Sequence, residues 1–466
     1  MPLLAADRDE GQPLNVLFIA VDDLRTELGC YGVEYAQTPR LDRLAKQGVL
    51  FTNHFVQVPT CGASRYALLT GRSPAHSGVT RSNHTLDSLN QKRTEGAQSM
   101  PEFFRRSGYH TICIGKISHT PDGRIYAYNG SGDGRHELPN AWDELATPYG
   151  PWKRGWGAFF AYANGRHRED GKGHRDLMEF VAEEDEDLPD GLMARRACEK
   201  LREMKAAGKP FFLGLGFYKP HLPFVATRGD WEAMKQVDVP APTHPHKIDS
   251  PYWHPSGEFY KYRFPFPKKN PLAGEDQIRA RRAYLACTRY VDRQIGRVLD
   301  TLDETGLSES TVVVVWGDHG WHLGESALWG KHTPFERAVH STMMIRAPGC
   351  QHGLKTDALV ETIDLYPTLV DMCGLREVKT EHPLDGRSLR PIITGKEDKV
   401  RDTATSYWRR AVSLRTPTHR LIVTPTKKGD GLKHVELYDI RQTPDPVNDL
   451  SDQEPELVEE LTAQLP

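Results

Sequence analysis

The feature that most constrains this chain is an alternation of short, continuous apolar runs with segments of helical periodicity. The apolar runs, each a predicted strand, are LNVLFIAV, GVLFTNHFV, YHTICI, PFFLGLGF and TVVVVW. Helical patterns are predicted at about 39–47, 99–106, 189–206 and 274–304. Continuous apolar runs are typical of strands that are buried on both faces. The alternation therefore predicts an α/β fold in which helices cover both sides of a parallel sheet.

The pattern changes after about residue 376. Short β-like runs follow there (ATSYWRRAVSLRT, HRLIVT and HVELYDI), and a last helix is predicted at about 453–464. Short strands separated by turn residues favour an antiparallel sheet. We therefore predict an α/β domain over residues 14–376 and a smaller domain over residues 377–466, in which an antiparallel sheet carries a helix.

Two long segments, 120–175 and 226–272, show little periodicity and are rich in Gly, Pro, Trp, Tyr and charged residues. Such loops usually carry specificity, because they tolerate variation that a packed core does not. We predict that both lie over the ends of the strands.

Composition excludes several classes of function. A net charge of -3 over 466 residues does not favour nucleic-acid binding. The apolar runs are far shorter than the ~20 residues that a membrane helix needs. The seven cysteines form no CxxC pair and describe neither a disulfide framework nor a zinc cluster. We expect no nucleic-acid or membrane partner, and the sequence leaves the oligomeric state open.

The start of the chain, MPLLAADRDEGQP, has neither a basic n-region nor the apolar stretch of about 7–15 residues that a signal peptide needs. We expect a periplasmic or secreted protein whose signal peptide has been removed, with the cytosol as the alternative.

Polar and ionisable residues follow four of the predicted strands. In order along the chain they are Asp22, Asp23, Lys116, His119, His221, Asp318 and His319. The carboxyl ends of parallel strands meet at one edge of a sheet, where ligands usually bind. Taken alone, VDD also fits a helix or loop cap, and each histidine also fits ordinary packing. Together, the aspartates and His319 predict a site for a divalent cation, because Ca²⁺ takes about 6–8 mainly oxygen ligands.

A second pattern, VPTCGASRYALLTGR, places Cys61 four residues before Arg65. If Cys61 begins a helix, the two side chains lie one above the other, beside the free N–H groups of the first turn. Lys116 and Lys331 would add further positive charge. A metal ion with these cations favours a tetrahedral oxyanion as the ligand.

The motif CGASRYALLTGR resembles the maturation signature of the formylglycine-dependent (type I) sulfatases, Cys-x-(Pro or Ala)-x-Arg followed by Leu-Thr-Gly-Arg. The motifs VDDLRTELGCYG, IGKISH, GFYKPHLPF and GDHGWHLGESALWGKHTPFE resemble the iduronate-2-sulfatase-like branch. The resemblance covers residues 14 to 376 in motif order. It implies an alkaline-phosphatase-like core with a mixed, mostly parallel sheet and a smaller carboxy-terminal antiparallel sheet.

The resemblance also implies site residues and cofactors. Calcium would be held by Asp22, Asp23, Asp318, His319 and the formylglycine that a maturation enzyme makes from Cys61. Of the two hydroxyls of the hydrated aldehyde, one would attack sulfur and the other would later expel sulfate. The implied roles of the other residues are leaving-group protonation by His221, proton removal by His119, stabilisation of the diol by Arg65 and Lys116, and sulfate binding by Lys331.

We further expect Trp321, His322 and His332 to line the pocket, with ordinary packing as the alternative. Ala63 stands where most relatives have proline, and Ser326 where many bacterial relatives have histidine. The expected substrate is a sulfated carbohydrate, with the 2-O-sulfate of a uronic acid as the first candidate. The alternatives are a phosphonate or phosphate ester hydrolase of the same superfamily and a pseudoenzyme that binds sulfated glycans.

Overall fold

A computed structural model describes residues 13–429 and 431–466. Strands and helices are numbered along the chain. The central sheet contains β1 (Asn15–Val21), β2 (Val49–Phe55), β3 (His110–Gly115), β4 (Glu144–Leu145), β6 (Phe211–Phe217), β8 (Thr311–Gly317), β11 (Met343–Arg346) and β12 (Leu354–Glu361). The smaller sheets are formed by β5 (Met178–Ala182) with β7 (Phe224–Thr227), β9 (His322–Leu323) with β10 (Trp329–Gly330), and β13 (Ala404–Trp408), β14 (Ala411–Arg415), β15 (His419–Pro425) and β16 (Leu432–Asp439).

The central sheet has the strand order β12-β2-β11-β8-β1-β6-β3-β4. The pairs are parallel except for β11, which is antiparallel to both β2 and β8. All seven residues of β1 are buried, as expected for a strand covered on both faces. The structure confirms the predicted mixed, mostly parallel sheet.

Helices cover both faces of this sheet. Within the described residues they are α1 (Pro39–Gln47), α2 (Cys61–Thr70), α3 (Pro74–Ser77), α4 (Met100–Arg106), α5 (Gly155–Phe159), α6 (Pro189–Ala207), α7 (Arg228–Lys235), α8 (Gly257–Tyr260), α9 (Gly274–Glu304), α10 (Glu336–Val339), α11 (Leu365–Met372), α12 (Arg390–Ile393) and α13 (Pro455–Thr462). Leu17 and Ile19 of β1 pack with α1, α6 and α9. Val16 and Phe18 pack with α2, α4 and α11. The alternation of side chains along one strand thus supplies two separate cores.

The small sheet is antiparallel in the order β13-β14-β15-β16, and Leu461 of α13 packs against Leu414 and Leu421. The predicted carboxy-terminal sheet with a helix is therefore confirmed. Its attachment to the core includes a buried ion pair in which Arg420 contacts Glu336 of α10 at 2.5 Å. Leu389, Ile392 and Ile393 pack within the main core. The boundary between 376 and 377 stays a prediction.

The two long segments contain more regular structure than the sequence predicted. β4 adds an edge strand to the central sheet from within 120–175, and α7 lies within 226–272. The prediction from the start of the chain concerns residues 1–13, of which 1–12 lie outside the described residues. Among the residues described, we find no helix with the length and apolar character needed to cross a membrane.

Candidate active site

The proposed site residues meet at one edge of the central sheet. Asp22 and Asp23 follow β1, and Asp318 and His319 follow the neighbouring β8. Lys116 follows β3, and β6, which lies between β1 and β3, leads into the loop that carries His221. The parallel strand order therefore brings these residues to the carboxyl edge of the sheet, as predicted.

Cys61 is the first residue of α2. The N–H of Gly62 donates a hydrogen bond to Oδ1 of Asn83 at 2.9 Å, so a side chain caps a free amide of this first turn. A Cβ at position 62 would collide with the backbone of Asn83. The sequence Cys-Gly thus allows a loop to lie directly against the start of the helix and hold Cys61 in place.

Arg65, one turn further along α2, is fully buried between two carboxylates. Its Nε donates to Oδ2 of Asp318 at 3.1 Å and its Nη2 donates to Oδ1 of Asp22 at 3.1 Å. Its Nη1 donates to the backbone carbonyls of Lys116 and Ile117. Arg65 therefore connects α2 to the ends of β1, β3 and β8, and all three nitrogens of its planar guanidinium donate hydrogen bonds.

Two lysines extend this charge network. Nζ of Lys116 donates to both oxygens of Asp22, at 3.0 and 2.8 Å. Nζ of Lys331 lies 2.8 Å from Oδ1 of Asp23 and 3.4 Å from Sγ of Cys61. Burial lowers the pKa of each lysine, but the adjacent aspartates more than offset this and raise both values, most strongly that of Lys331. Both ammonium groups are therefore charged beside Cys61.

The donors around Cys61 fit a divalent cation. Nε2 of His319 lies 3.2 Å from Sγ of Cys61 and 3.3 Å from Oδ1 of Asp23, while its Nδ1 faces the carbonyl of Gly320 at 2.9 Å. Buried Oδ2 of Asp23 has no hydrogen-bond partner among the described residues. Ligand atoms within 4.8 Å of one another are found in three sets, Asp23 with Cys61 and His319, Asp22 with Cys61 and Asp318, and Asp22 with Asp23 and His221.

The electrostatics of these carboxylates agree with a cation site. Burial raises the pKa of Asp23, and burial together with the charge of Asp22 raises that of Asp318. Burial would raise the pKa of Asp22 as well, but Lys116, His221 and Arg65 hold it well below its usual range. Three buried carboxylates at one point repel each other, and a bound divalent cation would relieve this repulsion.

Two further histidines, His221 and His119, line the same cavity as Cys61. Nδ1 of His221 lies 2.6 Å from the carbonyl of Leu222, which leaves Nε2 facing Oε1 of Glu258 at 3.3 Å. The buried ammonium of Lys219 holds this loop by donating to the carbonyls of His221 and Pro223. Burial, and next the charge of Lys116, keep the pKa of His119 well below its ordinary value, so this imidazole is neutral.

A cavity of about 400 Å³ opens over Cys61. Its lining residues are Cys61, Asn83, Lys116, His119, Tyr128, Trp156, Phe159, Phe160, Arg168, His221, Gly257, Glu258, Lys261, Lys331 and His332. Many of them come from segments 120–175 and 226–272, so these loops lie over the strand ends as predicted. The predicted roles of the site residues themselves remain predictions.

The structure separates the three residues that were expected to line the pocket. His332 does line the cavity, and its ring stacks on Trp408 of β13 with centroids 5.1 Å apart, so the small sheet supports the wall. Trp321 and His322 are not among the described residues that line it. Trp321 is buried with its ring 5.0 Å below Nζ of Lys331, and His322 bonds Thr333 at 2.9 Å. Trp321 lies between β8 and β9 and His322 begins β9, and both side chains are buried outside the cavity lining, which their spacing from Asp318 did not reveal.

Sequence reasoning missed Glu258, Arg168 and Lys261, which line the cavity. They lie in segments without periodicity, and no recognised motif contains them. The available signal was their charge, combined with the expectation that these segments cover the strand ends. Asn83, the cap of the Cys61 turn, carried no local signal for this role.

An α/β core whose strand ends gather carboxylates, lysines and an arginine around one buried cysteine defines a hydrolase for anionic esters. A family model described as Sulfatase matches residues 14–375, and one described as the C-terminal part of N-sulphoglucosamine sulphohydrolase matches residues 324–466. The chain belongs to the sulfatase family and is a sulfuric ester hydrolase, as the motifs predicted.

Individual relatives agree with this assignment. A sulfatase from Formosa agariphila is 30% identical over 426 residues, which cover 88% of this chain and 78% of that protein. Iduronate 2-sulfatase from Mus musculus is 31% identical over 400 residues, which cover 78% of this chain and 69% of that protein. This similarity agrees with the predicted branch.

Solved structures confirm the fold. A phosphonate monoester hydrolase from Silicibacter pomeroyi superposes with a TM-score of 0.75 at 24% identity, covering 97% of this chain and 94% of that one. A structure described as a 2-O GAG sulfatase superposes with a TM-score of 0.69 at 21% identity, covering 97% and 91%. The chain therefore has the alkaline-phosphatase-like architecture that its motifs implied.

Proposed function

We propose that this sulfatase removes sulfate from a sulfated carbohydrate, with the 2-O-sulfate of a uronic acid as its substrate group. The observation that carries the proposal is that Lys116 and Lys331 line a cavity of about 400 Å³ with Cys61, while Arg65 lies buried in the same charge network. These three cations offset the charges of Asp22, Asp23 and Asp318, so a divalent cation bound among them would give the closed end of the cavity the net positive charge that binds an anionic ester group. The similarity to iduronate 2-sulfatase supports the choice of a uronic acid.

We also propose that Asp22, Asp23, Asp318 and His319 hold calcium together with residue 61. The mostly oxygen donor set and the unpartnered Oδ2 of Asp23 fit this hard cation. When bound, the cation would add positive charge at the ester oxygens. Oxidation of Cys61 to formylglycine would supply, after hydration, one hydroxyl as the nucleophile and a second that allows sulfate to leave.

The residues of this chain that surround that group have separate tasks. Lys331, 3.4 Å from Sγ of Cys61, is placed to bind a sulfate oxygen. Arg65 and Lys116 hold the carboxylates in place and offset their negative charge. Neutral His119 is suited to accept a proton, and His221 Nε2 is suited to donate one to the leaving sugar oxygen.

A second candidate function is hydrolysis of phosphonate or phosphate esters. It is favoured by the structural similarity to the phosphonate monoester hydrolase from Silicibacter pomeroyi. Sulfate monoesters and phosphonate monoesters each carry a single negative charge, so a cationic cavity accepts both. The third reading, a pseudoenzyme, is disfavoured because a protein that only binds glycans does not need two histidines, His119 and His221, at the cavity.

The test compares sulfate release from a panel of substrates by protein in which residue 61 is shown to be oxidised. We expect release from 2-O-sulfated uronate disaccharides, and a kcat/KM for an aryl sulfate above that for the matched aryl phosphonate monoester. Ion chromatography measures the released sulfate. Cleavage of 4-O- or 6-O-sulfated hexosamines with the uronates untouched would refute the substrate, and a preference for the phosphonate would refute the sulfatase assignment.

The role of His221 leads to a second prediction. If His221 protonates the leaving oxygen, His221→Ala should lower kcat/KM about 10²- to 10⁴-fold for a sugar sulfate, whose alcohol is a poor leaving group. The loss should be much smaller for 4-nitrophenyl sulfate, because nitrophenolate leaves without protonation. Steady-state rates on both substrates give the comparison. Equal losses on both would show that His221 binds the ester or the metal and does not act as the general acid.

A further inference from the structure

The cavity carries a second pair of cations that none of the proposed chemical steps uses. Arg168 and Lys261 both line it, from the two long segments 120–175 and 226–272. Cys61 is only 3% exposed, whereas Lys261 is exposed, so the cysteine marks the closed end of the cavity and Lys261 its open end. A substrate whose sulfate reaches Cys61 therefore passes the second pair.

Arg168 is built into the wall. Its guanidinium carbon lies 3.3 Å from the ring centroid of Phe160, and its Nη1 donates to the hydroxyl of Tyr262 at 3.0 Å. Its Nε contacts Oε1 of the half-buried Glu169 at 2.6 Å. The stacked ring and these two bonds fix the orientation of the guanidinium, and they leave Nη2 without a protein acceptor among the described residues. A buried, oriented donor of this kind favours a specific anion.

Lys261 supplies the second donor. Its Nζ has no ion-pair partner within the described residues, and it lies 5.9 Å from the ring centroid of Tyr262, the residue that holds Arg168. Glu258 is the only carboxylate among the residues that line the described cavity, and it contacts Lys331 and His221. Glu169 pairs with Arg168, and Lys261 has no such partner within the described residues, so the open half of the cavity keeps a net positive charge.

We infer that Arg168 and Lys261 form a subsite for the carboxylate of the sugar that carries the scissile sulfate, an inference that rests on the proposed function. In a uronic acid, the C2 and C5 substituents project from opposite positions of the pyranose ring. A 2-O-sulfate and a C5 carboxylate therefore fit one cationic cluster at each end of a cavity. Two single donors, Nη2 and Nζ, match the two oxygens of one carboxylate.

The wall between the two clusters is aromatic. Phe160, under Arg168, stacks on Trp156 at 5.9 Å with an angle of 16°, and Trp156 contacts the ring of His119 at 5.9 Å. Such a surface suits the apolar face of a sugar ring held between two anionic groups. Phe160 and Trp156 thereby form a continuous line of contacts from Arg168 to His119.

The experiment measures one ratio, kcat/KM for a 2-O-sulfated uronate disaccharide over kcat/KM for the same disaccharide with its carboxyl reduced to an alcohol. We expect about 100 for the wild-type enzyme and a roughly tenfold lower ratio in Arg168→Gln and in Lys261→Gln, because each loses one hydrogen bond to a charged group. The matched control is Arg175→Gln, an exposed arginine of the same segment, which should keep the wild-type ratio. Since Lys261 is exposed, its variant keeps the test available if Arg168→Gln does not fold.

The possible failures can be told apart. If the wild type releases sulfate from an aryl sulfate but its ratio is near 1, the carboxylate subsite is refuted and the sulfatase activity stands. If the ratio is high but unchanged in both variants, another site binds the carboxylate and the assignment of Arg168 and Lys261 is refuted. The carboxylate subsite is also refuted if both variants keep the uronate ratio of the wild type but lose its discrimination between glucosamine-2-N,6-O-disulfate and the N-acetyl analogue.

Discussion

Cys61→Ala is expected to abolish sulfate-ester hydrolysis, with a loss of roughly 10⁴-fold or more in kcat, because it removes the atom from which the nucleophile is made. The side chain is buried and 3.2 Å from His319, yet alanine is smaller and fits the same first turn of α2. The variant should therefore fold, as near-ultraviolet circular dichroism can verify. Activity in wild-type preparations should rise in proportion to the fraction of chains in which mass spectrometry finds residue 61 oxidised.

Cys61→Ser separates the chemistry from the mere presence of a hydroxyl. A serine that attacks sulfur forms a sulfate ester that lacks the second hydroxyl, so sulfate is not expelled and the enzyme stops after one event. We expect at most one equivalent of released alcohol per chain, with serine confirmed as unoxidised by mass spectrometry. Cys30→Ala, at a cysteine that does not line the described cavity, is the control and should keep wild-type rates. Continued turnover by Cys61→Ala would overturn the assignment of this residue.

Asp318→Asn is expected to remove both calcium binding and turnover. The substitution keeps the shape of the side chain but deletes a charge from a donor set that includes Asp22, Cys61 and Asp318. It also weakens the 2.9 Å ion pair between Arg65 and Asp318, so Arg65 is held less firmly in the site. We expect kcat to fall by at least about 10³-fold, on the scale seen when a fixed electrostatic group is lost.

Metal binding gives a readout of Asp318→Asn that does not depend on activity. The wild type, freed of metal by a chelator, should gain about 2.7 kcal/mol in free energy of unfolding when free calcium reaches 100 times its Kd. Asp318→Asn should gain much less in the same titration, while Asp452→Asn, an exposed control, should match the wild type. An unchanged calcium response of Asp318→Asn would show that this aspartate is not a ligand.

Much of the fold could be predicted because it depends on local patterns. The helices α1, α6 and α9 were predicted to within about one or two residues, since periodicity and terminal Pro and Gly mark them directly. The order of strands could be inferred only in part. The antiparallel β11 between β2 and β8 was missed, because the segment MMIR is only four residues long and its direction is set by packing.

The site residues likewise include some that could be predicted from the sequence and some that could not. Residues that directly follow strands could be placed together in advance, since parallel strands end at one edge of the sheet. The same rule did not extend to Trp321 and His322, which come after β8 but are buried outside the cavity lining. A rule about strand ends describes the first one or two residues, and the path beyond them depends on contacts with other elements.

The sequence by itself determined the strands, the helices, the chemistry at the strand ends and the family, because short-range patterns and ordered motifs encode them. Only the tertiary structure brought Arg168, Glu258 and Lys261 to the cavity wall and placed Trp408 of the small sheet behind His332. These residues lie on loops and on a separate sheet, far from Cys61 along the chain. Their proximity follows from how the whole chain packs, which no local pattern records.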